Sequence, residues 1–241
     1  MSTPALDIRI YGEPEAMARA VTIAITGLWR QTAANNNLPF YLALSGGRTP
    51  LTLFKLLGEQ PALLPDGCWK SLQLFWADER LVPFDHPENN AGAAWRAGLK
   101  NCPLSKDQIH PIPTDQDAVA AAAAYEATLN LLLQKHNKTA LDLVLLGIGE
   151  DGHTASLFPQ TIPQATLVQP SLSPQGIKAR ISLTAAFLKR TSHVYFLATG
   201  AAKRPLIKHL RTATGQDAAY PFEQIHGRAK TIYWLDREAG G

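Results

Sequence analysis

The segment 141–159, LDLVLLGIGEDGHTASLFP, leaves this chain few folds. It opens on a mostly apolar run, the pattern of a strand buried on both faces, and passes directly into a glycine-rich turn. Such a strand belongs inside a parallel sheet covered by helices. The turn presents Asp151 and His153 and stops at Pro159, so it reads as a platform for side-chain chemistry rather than the start of a long helix.

The same cycle recurs along the chain. Leu6, Ile8 and Ile10 alternate as a first strand, Pro14 sits where a first helical turn accepts proline, and Met17, Val21, Ile25 and Leu28 follow at helical spacing. Residues 40–44 read as a strand leading into the turn 45–50 and a helix to about Leu57, and residues 72–76 as a strand leading into Asp78-Glu79-Arg80. An alanine-rich helix over 118–134 precedes the central strand at 141–146. Strands at 179–183, 193–198 and 231–235, with a helix over 203–211, complete the pattern. Alternation of this kind predicts one α/β domain over 1–241, an open, mostly parallel sheet with helices on both faces. Ligands of such sheets bind at the carboxyl ends of the strands, where the polar turns collect.

At 241 residues and 46% hydrophobic the chain has enough apolar side chains for a sizeable core. No signal peptide or bilayer-length apolar run is visible, so a soluble, cytoplasmic protein without membrane contact is expected. Cys68 and Cys102 match no redox or metal spacing and are expected as free thiols, and without a His-Glu-x-x-His pair no metal is predicted.

Charge is unevenly spread. Residues 1–152 hold 16 acids against 12 Lys or Arg, whereas 153–241 hold 4 against 11. A nucleic-acid partner is not indicated, because the net charge is only +3, there is no basic run, and Lys178, Arg180, Lys189, Arg190, Lys203, Arg204, Lys208 and Arg211 are scattered over several elements. A small anionic substrate is the expectation, with a merely solvated basic face as the plainer reading.

Four motifs carry chemistry. Gly147-x-Gly149-x-x-Gly152 after a strand has the form of a dinucleotide fingerprint, but Glu150 and Asp151 would face the pyrophosphate, and no acid occurs between His153 and Gln216 to hold a ribose. A nicotinamide dehydrogenase is therefore disfavoured. Ser45-Gly46-Gly47-Arg48-Thr49-Pro50 places two glycines between a strand and a helix, a phosphate cradle that is neither a Walker loop nor a nucleophile elbow; a plain turn is the alternative. Asp78-Glu79-Arg80 is either a salt-bridged loop or a pair of carboxylates for sugar hydroxyls beside a guanidinium for a developing oxyanion, with Asn89 and Asn90 in reach. His153, in a glycine turn beside a carboxylate, is the candidate general base, since imidazole titrates near neutrality. Arg180 and Lys203 are candidates to close the phosphate from the other side. The remaining six histidines have no such context.

SGGRTP, ADERLVP with a downstream Asn pair, GIGEDGHTASLFP, RISLT, Gly200-x-x-Lys203 and the closing Trp234-Leu235-Asp236, in this order, resemble the 6-phosphogluconolactonases. The resemblance implies a fold shared with glucosamine-6-phosphate deaminases and ribose-5-phosphate isomerases, and hydrolysis of 6-phospho-D-glucono-1,5-lactone without a cofactor. It also raises a transient contact with glucose-6-phosphate dehydrogenase. The deaminase branch carries a glutamate five residues after the histidine, where this chain has Phe158. On this resemblance His153, Asp151 and Arg80 are the expected catalytic residues, and Ser45, Gly46, Gly47, Arg48, Thr49, Asp78, Glu79, Gly149, Arg180 and Lys203 the expected substrate contacts. A sugar-phosphate sensor lacking chemistry is the remaining alternative.

Overall fold

A computed structural model describes residues 6–36, 38–212 and 219–241. In chain order it contains β1 (Asp7–Tyr11), α1 (Pro14–Asn36), β2 (Phe40–Leu44), α2 (Arg48–Glu59), α3 (Asp66–Ser71), β3 (Leu72–Trp76), β4 (Asp78–Arg80), α4 (Asn90–Ala97) and β5 (Ile109–His110). There follow α5 (Ala118–Lys135), β6 (Leu143–Gly147), β7 (Val168–Leu172), β8 (Ala179–Leu183), α6 (Ala185–Leu188), β9 (His193–Ala198), α7 (Arg204–Thr212), β10 (Lys230–Asp236) and α8 (Arg237–Gly240).

Seven strands form a parallel sheet in the order β1-β10-β9-β6-β2-β3-β5. Every residue of β2 is buried, as are four of five in β3 and β6. Because neighbouring residues of a strand point to opposite faces, this burial means that both faces are covered. The helices that cover them present the spacing read from the sequence: Met17, Val21, Ile25 and Leu28 of α1 are buried, and α2 buries Leu53, Phe54, Leu56 and Leu57. Asp117 caps α5 by accepting from the Val119 and Ala120 amides, and Tyr125 of that helix both donates to the Trp76 carbonyl and accepts from the Trp76 amide, pinning α5 to the end of β3.

Strand order reverses between β2 and β6. From β2 the chain adds β3 and β5 on one side; from β6 it adds β9 and β10 on the other. At such a reversal the two departing turns diverge and leave a crevice at the strands' carboxyl ends. The turns here are SGGRTP after β2 and GIGEDGH after β6.

Two elements differ from the sequence reading. Asp78-Glu79-Arg80 is not a turn but strand β4, and 179–183 does not join the main sheet. Both lie in a second, three-stranded sheet, β4-β8-β7, antiparallel throughout, with Asp78 opposite Ser182 and Arg80 opposite Arg180. The connection between β7 and β8 explains this: residues 173–178 suffice for a hairpin, whereas a parallel partner needs a crossover of about a dozen residues or more. Strands β5 and β7 and helix α4 were not legible in the sequence. The first is two residues long, β7 contains Pro170, and α4 is built on Asn90, Ala91 and Gly92, with little helical periodicity.

Candidate active site

A cleft of about 940 Å³ opens at the β2/β6 reversal, lined by the two glycine turns, by Asp78, Arg80 and Asn90, by the hairpin tip Ser173–Pro174–Gln175, and by Thr199, Gly200 and Lys203. Its base-bearing wall is the turn after β6. The Gly152 amide donates to the Gly149 carbonyl and the Gly149 amide to the His153 carbonyl, closing residues 149–153 into a compact loop. His153 Nδ1 lies 2.5 Å from Asp151 Oδ1, and that same oxygen accepts from the His153 amide. An ionised carboxylate only accepts, so Nδ1 carries the proton and Nε2 is left as the basic nitrogen. Burial by itself would push the Asp151 carboxyl up; the hydrogen bonds from the His153 ring and amide outweigh it and hold the group below the usual carboxylate range. Phe158 packs on the imidazole, ring centroids 4.7 Å apart.

The glycines of this turn are needed for contact rather than for pyrophosphate. A Cβ on Gly149 would lie 2.1 Å from His153 Nδ1 and 2.7 Å from Asp151 Oδ1, so the imidazole occupies the space that any side chain at 149 would fill. Gly152, at φ +79°, has the left-handed backbone that lets the chain reverse between Asp151 and His153.

The opposite wall is the turn after β2. Gly47 stands at φ +95° before α2 without capping it through a side chain, leaving the first amides of this 12-residue helix unclaimed at the cleft. Arg48 and Thr49 line the same wall, and Thr49 Oγ1 is 2.8 Å from Thr199 Oγ1, tying the loop to the carboxyl end of β9. Lys203 faces it, its ammonium held below the ordinary lysine range by burial, with Arg48 pushing the same way and Glu150 and Asp151 opposing. Of the eleven Lys and Arg residues in the electropositive half, only Lys203 lines the cleft. The charge asymmetry therefore did not indicate which cations line the site.

Between the walls lies a buried polar network. Asp78, 6% exposed, accepts from Ser45 Oγ at 3.3 Å and from Ser156 Oγ at 2.8 Å. Asn90 donates to the Asp78 carbonyl at 2.9 Å and accepts from Arg80 Nη1 at 2.7 Å. It also fills the space beside Gly46, where a Cβ would fall 1.7 Å from Asn90 Oδ1. Arg80 is thus held at the cleft by Asn90 and by the Glu88 carbonyl.

Two expected contacts stand outside the cleft. Glu79, fully buried, accepts from the amides of Arg80, Asn90 and Ala91, so its carboxylate anchors the first turn of α4 rather than reaching toward a sugar. Burial pushes its carboxyl up to about 7 against the pull of those three amides. Arg180, 9% exposed, donates Nε to the Ile177 carbonyl and stands directly opposite Arg80 on the same face of their sheet, beside the cleft rather than among its lining residues. Ser45, Gly46, Gly47, Arg48, Thr49, Asp78, Arg80, Gly149, Asp151, His153 and Lys203 all line one cleft. Sequence reasoning did not assign Thr199 or Gln175 to it; Thr199 directly precedes the Gly200-x-x-Lys203 motif, whereas Gln175 belongs to a hairpin with no sequence signature. Among the described residues no group of three His, Cys, Asp or Glu side chains converges as a metal site.

Comparison with known proteins agrees with this geometry. The family described as glucosamine-6-phosphate isomerases/6-phosphogluconolactonase matches residues 12–234. A 6-phosphogluconolactonase of Nostoc sp. is 37% identical over 230 residues, covering 93% of this chain and 92% of the relative. The GDH/6PGL endoplasmic bifunctional protein of Oryctolagus cuniculus is 31% identical over 210 residues, 83% of this chain but 26% of that longer protein. The structure superimposes on 6-phosphogluconolactonase from Trypanosoma cruzi with a TM-score of 0.83 at 29% identity, covering 99% of this chain and 97% of the other. The chain belongs to the glucosamine-6-phosphate isomerase/6-phosphogluconolactonase family.

Proposed function

We propose that this chain, working as one domain, hydrolyses 6-phospho-D-glucono-1,5-lactone to 6-phospho-D-gluconate in the pentose phosphate pathway. The observation that carries the reading is the facing arrangement of the cleft: a His153–Asp151 pair on one wall, and on the other a bare helix N-terminus with Arg48, faced by Lys203. A ligand with a carbonyl at one end and a phosphate at the other spans that arrangement.

In the reaction, His153 Nε2 takes a proton from water as its oxygen attacks C1 of the lactone. The tetrahedral oxyanion is stabilised by Arg80 and by glycine-turn amides, and its collapse breaks the bond from C1 to the ring oxygen, which takes the proton back from the imidazolium. Asp151 keeps the imidazole in the required tautomer. A base of this kind contributes roughly 10²–10⁴-fold, and an oxyanion donor roughly 10²–10³-fold. The α2 amides, Arg48 and Lys203 hold the phosphate, and Asp78 and Asn90 border the sugar.

Phe158 supports the lactonase branch over the isomerase branch. It gives the cleft an apolar ring against His153 and no proton-transfer group where a sugar ring would have to be opened. Two buried, unpaired cysteines fit a reducing cytoplasm, and no helix among the described residues is long and apolar enough to cross a membrane. The bifunctional relative supports a transient contact with the dehydrogenase that makes the lactone.

The deciding assay generates the lactone with glucose-6-phosphate dehydrogenase and follows its disappearance with and without the protein. Disappearance no faster than in water refutes the proposal.

A further inference from the structure

Behind the turn that carries the base lies a small assembly outside the cleft. Glu223 is 5% exposed, yet its carboxylate is fully engaged: Oε1 is 2.7 Å from His209 Nδ1, and Oε2 accepts from the amides of Ala219 and Tyr220 at 2.8 and 3.1 Å. These bonds fix the start of the short 3-10 turn Pro221–Gln224 and set the Tyr220 ring against Gly152, where a Cβ would meet ring carbon Cδ1 at 2.3 Å. The Phe222 amide donates to the Gly152 carbonyl at 3.3 Å. His209 stands edge-on to Tyr220, centroids 5.3 Å apart, and Phe222 lies edge-on to Phe196 of β9, centroids 6.1 Å apart.

Gly152 is the residue between Asp151 and His153, and its left-handed backbone leaves it free to flex unless something leans on it. Tyr220 is not among the residues lining the cleft. We infer that Tyr220, latched by the Glu223–His209 pair, is a positioning residue that holds the Asp151–His153 turn in its catalytic geometry from behind. The latch also ties that turn to α7, the helix that begins just after Lys203, so one assembly fixes the base relative to the phosphate-side cation.

This inference rests on the proposed role of His153, and its test separates the two. In Tyr220→Leu, kcat for the phosphorylated lactone should fall about tenfold with KM within about twofold, because the contacts proposed for the phosphate are untouched. Tyr220→Phe, which keeps the ring, should restore it. In an Asp151→Asn background, Tyr220→Leu should cost little more, because a residue acting through the Asp151–His153 pair is not additive with its loss. The proton shared by His153 and Asp151 is followed by NMR in the full-length variants, independently of turnover; it should weaken or shift in Tyr220→Leu and in Glu223→Gln. Native kcat together with an unchanged proton signal in Tyr220→Leu overturns the inference, as does additivity with Asp151→Asn. If instead His153→Ala keeps full turnover while Tyr220→Leu still moves the signal, the latch stands and the proposed base fails.

Discussion

Gly149→Ala tests the site most directly, because the structure fixes what the added methyl must do. The position is not in the left-handed region, so alanine is compatible with the backbone, and the effect is steric. The new Cβ would stand 2.1 Å from His153 Nδ1 and 2.3 Å from Cε1, against ordinary contact beginning at 3.4 Å; the imidazole must retreat by about 1.3 Å. A misplacement of about 1 Å in a catalytic group costs on the order of 10²-fold in rate, about 2.7 kcal/mol of transition-state stabilisation. The α2 wall does not move, so kcat should fall about 10²-fold while KM for the phosphorylated lactone stays within about twofold. Gly147→Ala is the internal control, since its Cβ meets nothing closer than the Gly46 carbonyl oxygen at 3.9 Å. It should keep at least about ten times the turnover of Gly149→Ala. The assay is lactone consumption under saturating substrate, with thermal unfolding showing that both variants are folded. A folded Gly149→Ala with native kcat, or two glycine variants equally impaired, refutes the argument that these glycines exist to admit the imidazole.

His153→Ala should lower kcat by about 10²-fold or more with little change in binding of a substrate analogue; near-native turnover removes the base. Lys203→Ala should raise KM for the phosphorylated lactone and leave slow hydrolysis of unphosphorylated gluconolactone unchanged, whereas Arg180→Ala, outside the cleft, should register in urea unfolding rather than in KM; equal KM effects for the two would put Arg180 back in the site. Glu79 is raised in the fold from 4.5 to about 7, so its contribution to stability is complete below the unfolded value and is lost as pH rises through about 7. The stability advantage of wild type over Glu79→Gln should therefore shrink between about pH 5 and pH 8, by up to about 3 kcal/mol, and an advantage that grows with pH contradicts the burial argument. Glucosamine-6-phosphate should release no ammonia above background; release comparable to lactone hydrolysis puts the chain in the other branch.

Local pattern determined much of this protein. The apolar run before Gly147, the i, i+3/i+4 spacing of Met17, Val21, Ile25 and Leu28, and the glycine turns at 45–50 and 147–152 depend only on period and on the backbone freedom of glycine, so the parallel sheet and the two cleft walls were legible residue by residue. The pairing of Asp151 with His153 was local as well, two positions apart in one turn. What crosses between elements was not legible. That Asn90 touches Gly46 and holds Arg80, that Glu79 turns its carboxylate onto the α4 amides, and that Arg180 lies opposite Arg80 are consequences of β4 joining a separate antiparallel sheet. A three-residue strand carries no periodicity, so nothing in Asp78-Glu79-Arg80 by itself indicates which side chain faces the cleft. Charge counting pointed to an anionic substrate but not to the cations that line its site: it sums cations along the chain, whereas a site selects them by direction, and only packing determined that Lys203, alone of the eight named, lines the cleft.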